Sequence, residues 1–200
     1  MQYLKGQQLK AIALTLIAIL TLCYPLLVYW GLNTFDISIL AIAGIFLVVT
    51  QLILRSVQTK NNFKTFLPLT IGLVATYVMA YFLKNSLYMK FTPVLINLNF
   101  FILFTISIFN PPTMIERFAR IRFKDLPPEA IPYCRKVTFI WMGFFVVNGS
   151  IALWTVSQDF KVWTLYNGII AYILMGILFG AEFIYREFFM KKKSNATQFI

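Results

Sequence analysis

Residues 110–136 read NPPTMIERFARIRFKDLPPEAIPYCRK, the one long polar interruption in a chain that otherwise passes from apolar run to apolar run. On its N-terminal side lies Phe91 to Phe109 and on its C-terminal side Val137 to Val156, both without a charge. Each is about 20 residues and so about 30 Å of helix, the thickness of a hydrocarbon layer. The stretch therefore reads as a connection between two membrane spans.

Working outward, the same pattern repeats. Ala11 to Trp30 is an uncharged first span, retained because it is too long for a signal core and is followed by no small-x-small site. Pro25 is expected to kink its outer end. Asp36 to Leu54 and Phe66 to Leu83 are the second and third spans, and Thr164 to Tyr185 is the sixth. The expectation is an all-α, polytopic membrane protein, with residues 1–200 forming one integral domain. Composition agrees: 60% of the 200 residues are hydrophobic and only 12% charged, against about 25% in a soluble domain.

Charge sets the expected orientation. The net charge is +11, which in a soluble protein would point to nucleic acid. Here it reflects loops: with the N-terminus in the cytoplasm, fifteen of the eighteen Lys and Arg fall on the inner side and three on the outer. Six spans with both termini cytoplasmic follow, and no nucleic-acid partner is expected. Cys23 and Cys134 make no ligand set, there is no His, and neither a metal nor a cofactor is expected.

The polar stretch itself reads as an amphipathic helix from Thr113 to Lys124 on the inner surface. Met114, Ile115, Phe118 and Ile121 form its apolar side, while Arg117, Arg120 and Lys124 share another. Glu116 is placed to pair with Arg120 at i, i+4. Arg117, Arg120, Arg122, Lys124 and Arg135 are the candidate sites for a phosphate-bearing or acidic partner, since a guanidinium can hold two oxygens at once. The plainer alternative is an anchor to anionic membrane lipids.

Polar groups inside spans are the second clue: Asn97, Asn99, Asn148, Asn167 and Glu182. The asparagines read as interhelical hydrogen bonds. Glu182 reads as an ion pair with Arg186, or as a weak catalytic candidate in a charged pocket beside Arg117 or Arg135. Gly72, Thr76 and Ala80, and Gly176 with Gly180, read as close-packing faces inside the bundle. Trp30, Tyr88, Trp141, Trp154, Trp163 and Tyr185 read as interfacial belts.

Three linked blocks carry a resemblance: PPTMIERFARIRFKDLPPEAIPYCRKVTFIW from Pro111, FFVVNGSIALW from Phe144 and LYNGIIAYILMGILFGAEF from Leu165. They resemble a family of small bacterial inner-membrane proteins described only as predicted membrane proteins, some labelled ketosynthase-like. The resemblance covers roughly Phe91 to Arg186. It implies association with the biosynthesis of aryl polyene or related fatty-acid-type lipids. It also implies an acyl carrier protein or an acyl or phospholipid-like intermediate as partner for Arg117, Arg120, Arg122 and Lys124. The reading that follows is a non-enzymatic accessory or transport component for a lipid-like product. A membrane-embedded acyl- or head-group transferase using Glu182, and a structural subunit beside other membrane proteins, stand as alternatives.

Overall fold

The computed structural model describes residues 23–58, 63–122 and 126–186, and among these every regular element is a helix. Residues 1–22, which hold most of the first expected span, Lys124 and the tail from residue 187 lie outside the described residues.

The chain enters at α1 (Tyr24–Leu32), with Pro25 in its first turn, where a missing N–H costs nothing. The bend expected at Pro25 concerns its junction with residues 1–22 and lies outside the described residues. Next come α2 (Ile37–Gln58) and α3 (Phe63–Leu83), which pack side by side. Asp36 caps α2: its Oδ1 accepts from the Ser38 amide at 2.7 Å. Lys84, just past α3 at φ 50°, reaches back to Asp36 at 3.7 Å and to the Ser38 hydroxyl, closing the hairpin. The two helices touch because residue 44 is glycine. A Cβ there would sit 2.4 Å from the Tyr77 ring.

A 3₁₀ turn (Ser86–Phe91) leads into α4 (Thr92–Phe109). After the Pro111–Pro112 turn comes the short α5 (Met114–Arg122), then α6 (Ala130–Val156). The final helix is continuous from Phe160 to Tyr185, made of α7 (Phe160–Leu165), a π-helical turn (Tyr166–Ile170) and α8 (Ala171–Tyr185). Asp159 caps it, accepting from the Val162 amide at 2.8 Å. α4 and α6 make the most extensive helix pair, with Phe145 stacked on Phe100 at 5.3 Å and edge-on to Phe104 at 5.1 Å.

Among the described residues three stretches are long and apolar enough to cross a membrane: Ser86–Phe109, Ala130–Val156 and Phe160–Tyr185. Ile37–Ile53 and Leu67–Leu83 are apolar but shorter. The expected boundary at Val137 is corrected. α6 begins seven residues earlier, because Pro127 and Pro128 supply the carbonyls that receive the Ala130 and Ile131 amides. Tyr133 to Lys136 are therefore helical, and Pro132 is tolerated in the first turn.

Two apolar cores hold the bundle. One joins α1, α2, α3, the 3₁₀ turn and α7 through Val28, Ala41, Tyr77, Met89 and Trp163. The other joins α4 and α6 through Phe104, Val137, Trp141 and Phe145, with Met114 and Ile115 of α5 against it. Trp141 and Trp163 are thus core residues, not belt residues. Trp163 is fully enclosed and its indole N–H donates to the Lys90 carbonyl at 3.1 Å. Gly176 and Gly180 are corrected too: an added Cβ at either would meet nothing within 4 Å among the described residues, so no described helix packs closely on them.

Candidate functional site

Polar chemistry collects in two places, at the end of the bundle that carries α5 and along an interior seam. α5 is fixed from its first residue. The Met114 amide donates to Ser107 Oγ at 2.9 Å, and that hydroxyl donates to the Phe104 carbonyl, so α5 hangs from the last turn of α4. Arg117 folds back over the same turn, with Nε to the Pro112 carbonyl at 2.8 Å and Nη2 to the Asn110 carbonyl at 3.1 Å. A cation there also meets the negative end of the α4 dipole. Arg120 donates through Nε and Nη2 to one oxygen of Glu116, at 3.0 and 2.7 Å. Glu116 faces the bundle and is buried, while Phe118 and Ile121 point outward.

The arginines proposed as anion ligands are therefore divided. Arg117 and Arg120 are engaged internally, and Arg135 is exposed on α6. The Arg122 side chain and Lys124 lie outside the described residues.

Beside this region residues of α6 and α8, with Glu129, line a groove of about 490 Å³. That is within the range of small-molecule sites. Its walls are apolar: Pro132, Val137, Ile140, Trp141, Leu178 and Ala181. Its rim is charged, with Glu129, Lys136 and Glu182, and Tyr133 and Tyr185 complete it. The Tyr133 hydroxyl donates to Glu182 Oε1 at 3.2 Å, and Arg186 Nε stands 3.8 Å from the same oxygen. The two tyrosine rings stack at 5.9 Å. Phe179 packs on Trp141 at 4.5 Å, and that aromatic pair crosses between the helices where Trp141 lines the groove. The cation at Glu182 is thus Arg186, and neither Arg117 nor Arg135 lines the groove.

The seam runs through the interior. Asn148 Nδ2 donates to Asn97 Oδ1 at 2.9 Å, and the Tyr166 hydroxyl donates to Asn148 Oδ1 at 2.9 Å. Asn97 also donates to the Pro93 carbonyl. Gly149 permits the approach, since a Cβ there would come within 3.1 Å of Asn97 Cβ. Asn167 donates to Thr155 Oγ1 at 3.0 Å and to the Trp163 carbonyl at 2.9 Å. Asn99, partly exposed, takes no part in the seam. Farther along, the buried Lys90 ammonium donates to the carbonyls of Val156 and Gln158 and lies 4.3 Å from the Phe160 ring centre. It ties the start of α4 to the end of α6.

Sequence reasoning passed over Tyr133, Lys136 and Glu129 of the groove, and Tyr166 and Lys90 of the interior. A signal existed for one of them. Tyr166 stands next to Asn167, and an OH-bearing ring beside a span's asparagine is a natural hydrogen-bond donor. The described residues hold no group of three or more His, Cys, Asp and Glu placed to bind a metal. No protein-family model, curated protein or solved structure matches the chain.

Proposed function

We propose that this chain is a multi-pass inner-membrane protein that holds an acyl-bearing, lipid-like molecule in the groove between α6 and α8. In this reading it crosses six times, with both termini and α5 on the cytoplasmic side. It presents or passes its ligand without transforming it. The observation that carries the proposal is the groove itself, with apolar walls between two membrane-length helices and a charged rim at one end. A single acyl tail fits such walls, and a polar head fits such a rim. A tail arriving from the bilayer gains little hydrophobic energy, because lipid is as apolar as the walls, so retention rests on packing against them and on the charged rim.

Partner docking falls to Arg135, which the fold leaves outward, together with Arg122 and Lys124. An acidic carrier protein or a phosphate-bearing intermediate would meet them. Glu182 is held by Tyr133 and Arg186, the arrangement of a structural and ligand-contacting carboxylate more than of a general base poised to take a proton.

The test is extraction into native lipid discs followed by mass spectrometry of the co-purifying molecules. An Ala181→Phe variant, which fills the groove from α8, is run in parallel. A defined acyl species retained at about one per chain by the wild type and lost by the variant is the expected result. Bulk phospholipid alone, equal in both, would sink the proposal.

A further inference from the structure

Only seven Asp and Glu occur in 200 residues, yet Glu129 and Glu182 both line this one groove. Lys136 lines it as well, and Arg186 stands beside Glu182. The rim is therefore dipolar, in a protein whose overall charge is +11. Arg117 and Arg120 do not line it. Arg117 is spent on the Asn110 and Pro112 carbonyls and Arg120 on Glu116.

Glu182 is asymmetric. Tyr133 and Arg186 both converge on Oε1, and Oε2 has no hydrogen-bond partner among the described residues. Its side chain is 19% exposed, so an N–H donor arriving through the groove would reach it. With Arg186 counted, the rim carries two carboxylates and two cations, so a purely anionic headgroup meets repulsion as well as attraction, whereas a zwitterion finds a partner for each of its charges. A quaternary ammonium has no N–H to donate. Nor does it find an aromatic cage, since Tyr133 and Tyr185 stack on each other.

We propose that the groove selects a zwitterionic lipid bearing a primary ammonium, which docks on Glu182 Oε2 and Glu129 while the lipid's phosphate meets Lys136. The proposal rests on the reading of the groove as an acyl-lipid site. It adds the headgroup class, and the two are separable by experiment.

The probe is tryptophan quenching by phospholipids with brominated chains. The full-length chain carries Trp30→Phe and Trp154→Phe, both exposed positions, so Trp141 in the groove wall reports. Trp163, fully buried in the other core, serves as the unquenched internal background. Vesicles contain brominated phosphatidylethanolamine, phosphatidylcholine or phosphatidylglycerol with identical chains. The expected result is Trp141 quenching by phosphatidylethanolamine with an association constant roughly fivefold above the other two, the ratio that about 1 kcal/mol of ion pairing gives. Glu182→Gln, which keeps an oxygen for the Tyr133 hydroxyl, should bring that ratio close to one while quenching by all three lipids persists.

Equal quenching by the three headgroups in the wild type would overturn the headgroup proposal and leave the acyl site standing. Strongest quenching by phosphatidylglycerol would also overturn it, in favour of an anionic ligand. Quenching unchanged by Ala181→Phe would show that the groove takes no chain, and both readings would fall together.

Discussion

Asn148 is the residue whose replacement tests the interior most directly. It donates to Asn97 and accepts from Tyr166, both at 2.9 Å, from a site almost closed to solvent. Asn148→Ala deletes both bonds and leaves Tyr166 with a buried hydroxyl and Asn97 with an unused acceptor. Side-chain hydrogen bonds between membrane helices average about 0.6 kcal/mol and reach about 1.7. Two of them give a loss of about 1.2 kcal/mol, and at most about 3.4. Tyr166→Phe removes one bond without changing packing, so its cost should be about half as large. The coupling between Asn97→Ala and Asn148→Ala in a double-mutant cycle should be about 0.6 kcal/mol or more. Asn99→Ala, at a position outside the seam, should stay within about 0.5 kcal/mol of wild type. The assay is reversible unfolding in bicelles by steric trapping, with all five variants in one lipid. Strict additivity of the Asn97 and Asn148 substitutions, or an Asn99 effect as large as that of Asn148, would refute the seam.

Other positions make independent demands. Gly44→Ala should destabilise by about 1–3 kcal/mol because its Cβ would lie 2.4 Å from the Tyr77 ring, whereas Gly176→Ala, with nothing within 4 Å among the described residues, should be neutral or slightly stabilising; thermal melts of the two in one detergent decide. Lys90→Met should cost about 1.5–3 kcal/mol, since a charged donor leaves two carbonyls at the end of α6, and hydrogen exchange of the Thr155 to Gln158 amides should rise with it. Asp36 is held below the usual carboxylate range by the Ser38 hydroxyl and amide, with a smaller pull from Lys84. Its folded pKa is depressed, so the closure it gives the α2–α3 hairpin is present above the ordinary carboxylate pKa and is lost as pH falls through the lower folded value. Carbon-detected NMR titration of that carboxyl should give a midpoint below that of Asp36 in an unfolded fragment.

Much of the architecture is legible before any coordinates. A chain this apolar can satisfy its backbone in lipid only by helices or a closed barrel, and uncharged runs of about twenty residues choose helices. Their ends follow from charges and prolines, and Glu116 with Arg120 follows from helical spacing alone. Local chemistry misleads where it has two meanings. The charged Tyr133 to Lys136 segment reads as a loop, but the carbonyls of Pro127 and Pro128 start a helix before it. Trp141 and Trp163 read as interfacial because tryptophan prefers interfaces, while neighbours from other helices enclose them.

What tertiary structure alone decided is the rotation of each helix about its axis. Hydropathy that is nearly uniform around a helix specifies no inward face, so sequence cannot tell Gly44, pressed on Tyr77, from Gly176, on which no described helix packs closely. It cannot bring Asn97 to Asn148 across 51 residues, or Tyr133 to Glu182 across 49. The groove is of the same kind. Its lining comes from residues 129–141 and 178–185 and the Trp141–Phe179 contact joins the same two helices, so it depends on how two distant stretches pack and on no single one of them.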